Sequence, residues 1–153
     1  MSVTVYVPND SAAVGLGANA TAQAISKIAA ERGLSIRLIR NGSRGLFWLE
    51  PFVEVVTNEG RIGYGPVEAQ DVPSLFDAQF LQGGSHRLRL GAPESIPYLA
   101  RQERLTFSRV GITDPLSISD YEAHGGLKGL RRALAMDQAG IVAEVTASGL
   151  RGR

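Results

Sequence analysis

Cysteine is absent from all 153 residues, which rules out disulfides, thiolate nucleophiles and cysteine ligation of iron–sulfur clusters within this sequence. Histidine is scarce. His86 and His124 are too few for a multi-histidine metal site without carboxylate help, and no nucleophile with an orienting carboxylate can be assigned around either one. No catalytic residue and no metal ligand is therefore assigned. His124 precedes a glycine pair and is expected to end a helix; His86 is expected on a strand or turn. Net charge is nearly missing as well: sixteen Lys and Arg against fifteen Asp and Glu leave +1. That balance gives no electrostatic footprint for nucleic acid or an anionic membrane, and both are set aside as partners. No run of about 18 apolar residues occurs, and MSVTVYVPND lacks a basic stretch followed by a long apolar one. The expected location is the cytoplasm or a cytoplasm-facing surface.

What is present is the composition of a globular chain, 44% hydrophobic with 18 glycines. A folded chain of this length buries roughly two-thirds of its extended surface, enough for a core without metal or disulfide staples. Residues 2–8 alternate, with Val3, Val5 and Val7 on one face and Thr4 and Tyr6 on the other, and read as a strand closed by Pro8. Ala18, Ala22, Ile25, Ile28, Ala29 and Arg32 recur at helical spacing, and Gly33 supplies a C-terminal cap. Leu34 to Arg40 is a second strand. Phe52 to Thr57 and Arg61 to Tyr64 form a hairpin around Asn58, Glu59 and Gly60. Asp71 starts a helix through Leu75, Phe76 and Phe80, with Pro73 in its first turn, and His86 to Leu90 adds a further strand. This order predicts an α+β fold, a mixed sheet flanked by helices. After Gly91 the periodicity is lost. Residues 92–109 carry two prolines and three arginines and read as an extended linker. Short helices follow at Ser119 to Leu134, interrupted by Gly125 and Gly126, and at Asp137 to Ser148, capped by Gly149. The expected boundary lies between residues 91 and 92.

The tail from residue 109 to 153 carries a specific pattern: Gly111, Ile112, Asp114, Pro115, then Tyr121, Gly125, Gly126, then Ser148, Gly149, Leu150, Arg151, Gly152 and Arg153. It resembles the start of the NADH-binding flavoprotein subunit of respiratory complex I and of its relatives in NAD-dependent formate dehydrogenases and bidirectional hydrogenases. In that family a glycine-rich run continuing from these last residues forms the loop around flavin mononucleotide and NADH. The resemblance implies that Gly152 and Arg153 open a cofactor-binding loop whose remainder lies beyond this sequence. Glycine lets main-chain N–H groups approach phosphate closely, and arginine supplies a planar charged fork. It also implies FMN, NAD and a [4Fe–4S] cluster for the full-length subunit, none complete within this chain. Residues 92–153 are then the linker and the start of the FMN/NADH-binding domain.

Residues 1–91 resemble the thioredoxin-like [2Fe–2S] ferredoxin domain that accompanies this flavoprotein. Where that family carries two cysteines around a glycine after its second strand, this sequence reads Asn41-Gly42-Ser43-Arg44-Gly45-Leu46-Phe47. Ser43 and Phe47 stand at the ligand positions. A hard alcohol and a side chain without a donor atom cannot replace thiolates, so the fold is expected to be kept and the cluster lost. A plain glycine-containing turn in another α/β domain is the competing reading of this segment. The resemblance points to an oxidoreductase subunit of NAD-dependent formate dehydrogenase, with an NAD-linked hydrogenase diaphorase as an alternative. Its partners would be a ferredoxin-like iron–sulfur subunit, a catalytic subunit and NAD(H), and this segment alone would be inactive. A stand-alone, redox-silent thioredoxin-like binding module is the alternative from another class.

Three other features have simpler readings. Gly15-Leu16-Gly17-Ala18-Asn19-Ala20 matches the dinucleotide fingerprint G-x-G-x-x-A, but Pro8 to Val14 separates it from the strand and no acid follows the second strand, so a loop and helix cap is preferred. Phe47, Trp48, Leu49 and Phe52 could form a docking surface; burial under the hairpin is the favoured reading. Arg101, Arg104 and Arg109 with Glu103 are read as an interface, because an ordered linker without a core must rest on a neighbour. Anaerobic reconstitution of residues 1–153 with iron and sulfide is expected to give no iron–sulfur absorbance and no paramagnetic signal; a stoichiometric cluster would overturn the reading of Ser43 and Phe47.

Overall fold

Alternation of β-branched residues makes β1 (Val3–Tyr6) a strand, and the same period recurs in β2 (Ile36–Ile39). A computed structural model of the protein describes residues 2–152. With β3 (Val53–Thr57), β4 (Gly60–Tyr64) and β5 (Arg89–Gly91) these strands form one mixed sheet in the order β2-β1-β3-β4-β5. β1 and β2 are parallel, Val5 opposite Leu38; β3 runs antiparallel to β1, with Tyr6 opposite Glu54, and to β4, with Glu54 opposite Gly63. The domain is α+β with a mixed sheet flanked by helices, as the sequence order predicts.

The two faces of the sheet are covered differently. One is packed by three helices: α1 (Ser11–Gly15), α2 (Ala18–Glu31) and α3 (Val72–Asp77). Val5, Val7, Val53, Val55, Ile62 and Tyr64 point to this side and meet Ala18, Ala22, Ile25 and Ala29 of α2, all buried. Each fully buried Val or Ile side chain here stabilises the fold by about 1.5–3 kcal/mol. The helical stripe read from the sequence is the buried one, and Gly33 ends it in the left-handed region at φ +66°.

The opposite face carries Tyr6, Glu54, Arg61 and Gly63, which share the other parity of the strands. Among the described residues no helix longer than one turn covers it. The loop 41–50 and a strap, residues 92–115, lie there instead, with a short helix α4 (Pro97–Ala100) in the strap. A second, smaller core of Leu46, Phe52 and Leu99 joins loop to strap, with Leu49 and Ile96 against it. Phe52 lies over Gly63, where any β-carbon would collide with its ring.

Buried charge ties these pieces together. Glu54, 1% exposed, receives both arms of the Arg44 guanidinium at 2.7 and 2.8 Å and one nitrogen of Arg61 at 3.4 Å. Arg44 also reaches Glu94 of the strap at 3.0 Å. Arg61 stacks on the Tyr6 ring, 3.7 Å from its centroid, and donates to the carbonyls of Gly111 at 2.9 Å and Ile112 at 2.5 Å. Asn41 Nδ2 donates to the same Gly111 oxygen at 2.8 Å, and Arg104 donates to the Arg44 carbonyl at 2.8 Å. Gly111, at φ +78°, has no room for a β-carbon beside the Arg44 stem.

Several elements differ from the sequence expectation. The helix begun at Asp71 stops at Asp77, and Phe80–Gln82 form a separate 3-10 turn, because Gln79 takes a left-handed conformation between them. The strand expected from His86 starts at Arg89. Gly60 opens β4 at φ +108° rather than lying in the turn. The five-residue helix α1, capped by Asp10 accepting from Ala12 and Ala13, was not foreseen.

Compact units divide between Pro115 and Leu116, so the segment after residue 92 rests on the first unit as far as Pro115. The second unit holds α5 (Ile118–Ala123), α6 (Lys128–Leu134) and α7 (Gln138–Ala147). Ser117 caps α5 through Asp120 N, and Asp137 caps α7 through Gly140 N at 2.8 Å. Arg131 pairs with Glu122 at 2.6 Å and Arg132 with Glu144 at 2.8 Å. Among the described residues of this unit no large apolar side chain is buried; Leu134 is 78% exposed.

Removing Glu54 leaves the buried Arg44 charge without its carboxylate. Glu54→Ala is expected to lower stability by about 3–5 kcal/mol in urea denaturation, and the double variant Arg44→Met, Glu54→Leu to recover a large part of it. A loss below about 1 kcal/mol for the single variant would contradict the assignment.

Candidate functional site

The loop 41–50 stands at the carboxyl ends of β1 and β2, joined there by Asn9 N donating to the Asn41 carbonyl at 2.9 Å. Its interior is carboxylate and hydroxyl. Ser43 Oγ donates to Glu50 Oε1 at 2.6 Å and accepts from Gly45 N at 2.9 Å; the other Glu50 oxygen accepts from Phe52 N at 2.8 Å. Ser43 is thus fully engaged in shaping the loop. Phe47 turns outward, 58% exposed, at the start of the 3-10 turn Phe47–Leu49. The two positions that the resemblance sets at cluster ligands therefore offer one committed hydroxyl and one hydrocarbon ring, and they do not fit an iron–sulfur cluster. Among the described residues there is no group of three or more His, Asp or Glu side chains placed to hold a metal ion.

Burial sets the electrostatics of the loop. Desolvation pushes the Glu50 carboxyl above its ordinary range; the bonds from Ser43 and Phe52 oppose this, and the nearby charges of Asp10 and Glu54 add to it. Desolvation alone would lower the Arg44 guanidinium, but its hydrogen bonds and charge contacts with Glu54, then Glu94, hold it above its ordinary value. Desolvation raises the Tyr64 phenol, whose hydroxyl donates to Gly84 O at 2.8 Å.

The other residues singled out in the sequence separate widely. Gly15 ends α1 and Gly17, at φ +100°, precedes α2, so a helix stands between β1 and the glycine pair and no strand-to-helix phosphate turn is formed. His124 is the C-cap of α5. His86 lies in a turn before β5, with Nε2 3.1 Å from Ser74 Oγ. This is not an activated serine. Leu88 N donates to His86 Nδ1 at 3.2 Å, which leaves the proton of the neutral ring on Nε2, and Ser74 Oγ gives its own proton to the Asp71 carbonyl at 2.8 Å. Gly152 is exposed coil with open space where a β-carbon would stand; Arg153 lies outside the described residues.

The aromatic cluster divides. Phe52 is buried as expected, but Phe47 and Trp48 are more than half exposed, because the 3-10 turn directs them away from the second core while Leu46 and Leu49 face it. Of the linker arginines, Arg104 bonds to Gln102 and to the Arg44 carbonyl, and Arg101 bonds to Pro97 O. What sequence reasoning missed is the Glu54 centre: a carboxylate in an alternating strand reads as the solvated face, and only the strap covers it.

No protein-family model matches this chain and no curated protein is similar to it. Among solved structures, it is similar to the thioredoxin-like [2Fe–2S] ferredoxin of Aquifex aeolicus, with 19% identity over 60% of this chain and 98% of the ferredoxin and a TM-score of 0.49. A cysteine-to-serine variant of the same ferredoxin gives 22% identity, 59% and 99% coverage and a TM-score of 0.48.

Between the ordinary carboxylate range near about 4.3 and the raised value of folded Glu50, the folded protein holds a proton that the unfolded chain has released. Stability from this group therefore falls as pH rises through that window. Glu50→Gln, which keeps an amide in the same loop, is expected to raise the thermal midpoint at pH 8 and to narrow its difference from wild type at pH 4. An equal loss of stability at both pH values would contradict it.

Proposed function

We propose that this chain is the amino-terminal scaffold of an NADH-handling flavoprotein subunit, of the kind found in NAD-dependent formate dehydrogenases. In the assembled enzyme that subunit passes electrons between iron–sulfur centres, FMN and NAD(H). The observation that carries the reading is the ordered series from Gly111, Ile112, Asp114 and Pro115 through Tyr121, Gly125 and Gly126 to Ser148, Gly149, Leu150, Arg151 and Gly152. Its glycines have local uses that fit a spacing under constraint. Gly126 sits against the Tyr121 ring, where a β-carbon would collide, and Gly149 takes φ +66° after α7.

The second unit supports the reading through what it lacks. Three short helices that expose Ile118, Leu134, Val142 and Val145 have no core of their own, and such a segment is stable only when something covers its apolar side chains. A larger nucleotide-binding domain built onto it would do so. FMN supplies the hydride and one-electron chemistry when bound. In this chain, Gly152 and Arg153 would contribute the opening edge of its phosphate cradle, and the first unit, without cluster ligands, contributes folding scaffold and subunit contact. The proposed partners are a ferredoxin-like iron–sulfur subunit and a catalytic subunit in the cytoplasm; an NAD-linked hydrogenase would use the same scaffold. Among the described residues no helix is long and apolar enough to cross a membrane.

A redox-silent binding module is favoured by one separate observation, the exposed Trp48 and Tyr98 rings. Visible spectra separate the two. The gene product extending past Arg153 is expected to purify yellow, with flavin absorbance, and residues 1–153 colourless; a colourless long form would favour the module.

A further inference from the structure

Trp48, on the 3-10 turn after the loop, and Tyr98, on α4 of the strap, meet edge to face with ring centroids 5.1 Å apart and an interplanar angle of 89°. Both remain about half exposed. Ile96, Pro97, Arg101 and Gln102 complete a groove of about 530 Å³ around them. Both elements are held firmly: Leu49 and Ile96 pack on the second core and Leu99 is within it, so the rings project from a fixed base. A rigid aromatic pair exposed beside arginine has the composition of a binding hot spot.

The charge at the rim selects the occupant. Arg101 donates from Nε to the Pro97 carbonyl at 3.2 Å, and Arg104 donates to Gln102 Oε1 and the Arg44 carbonyl, both at 2.8 Å. Arg101 is exposed at the groove and oriented by a neutral acceptor, and among the described residues it forms no ion pair with a carboxylate; Arg104 is half-buried and lines the adjoining depression with Glu103, Phe47 and Phe107. We propose that this groove binds an extended segment of another protein in which an apolar or proline side chain is flanked by carboxylates. The apolar residue would lie on the Trp48–Tyr98 pair, as extended proline-containing segments do in aromatic-lined grooves, at low entropic cost. A flanking carboxylate would meet Arg101. This rests on reading the first unit as a scaffold for subunit contact; the flavin spectrum tests the flavoprotein assignment separately.

Trp48 is the only tryptophan, so the emission of the whole protein reports on the groove. The full chain is titrated with a blocked peptide of sequence Glu-Glu-Pro-Leu-Pro-Glu and with its counterpart carrying lysine in place of each glutamate. The expected result is a saturable blue shift with the acidic peptide alone, weakened roughly tenfold by Arg101→Glu and by raising salt from 0.05 to about 0.5 M. No shift up to millimolar peptide would overturn the proposal, as would equal shifts with both peptides. A shift that follows protein concentration without peptide would overturn it in favour of a second copy as the occupant.

Discussion

The carboxylate of Glu54 is the point on which the second face of this fold depends. Two guanidinium groups converge on it in a space closed to water, and each also holds a piece of chain that no regular element supports: Arg44 the loop 41–50 and Glu94, Arg61 the carbonyls of Gly111 and Ile112. Burying these charges is costly, and the attraction between them offsets that cost only because almost every donor finds an acceptor. The bidentate geometry of Arg44 fixes direction as well as distance. Loop and strap are ordered together by the same few atoms.

This arrangement accounts for how a sheet with helices on one side closes its other side. Apolar packing there is limited to Leu46, Phe52 and Leu99 with their neighbours, a far smaller cluster than the one beneath α2. Charge and hydrogen bonds supply the direction that a helix would have given through packing. The same segment that resembles a cysteine-bearing loop is organised by Ser43 and Glu50, so its shape rests on side-chain hydrogen bonds instead of metal coordination. Trp48 and Tyr98 gain a rigid base as a consequence.

Much of the helix-side architecture was legible in the sequence. The alternation of Val3, Val5 and Val7, the stripe Ala18 to Ala29 and the hairpin around Asn58 and Glu59 each obey one period, and local patterning sets them. The limits were also physical. Five residues of α1 are too short to display a period. Gln79 breaks a helix through a backbone conformation that its identity does not announce. Glu54 and Arg44 look like solvated residues because their burial depends on a strap that arrives 50 residues later in the case of Arg44 and Glu94. Phe47 and Trp48 read as core by composition, and the turn that exposes them is decided by where Leu46 and Leu49 go. The tail carries a resemblance and obeys no periodic rule, and its last residue lies outside the described structure.

The proposed function follows this division: it takes the first unit as a scaffold, and the second unit's helices expose Ile118, Leu134, Val142 and Val145. Its physical basis is the claim that the Glu54 centre anchors the strap. Hydrogen exchange measured residue by residue tests this most directly, comparing wild type with Glu54→Gln under native conditions. The account predicts that protection is lost at Val110, Ile112 and Thr113, whose amides bond within the strap, while the amides of α2 keep theirs. Unchanged protection across residues 110–113 in the variant would contradict it.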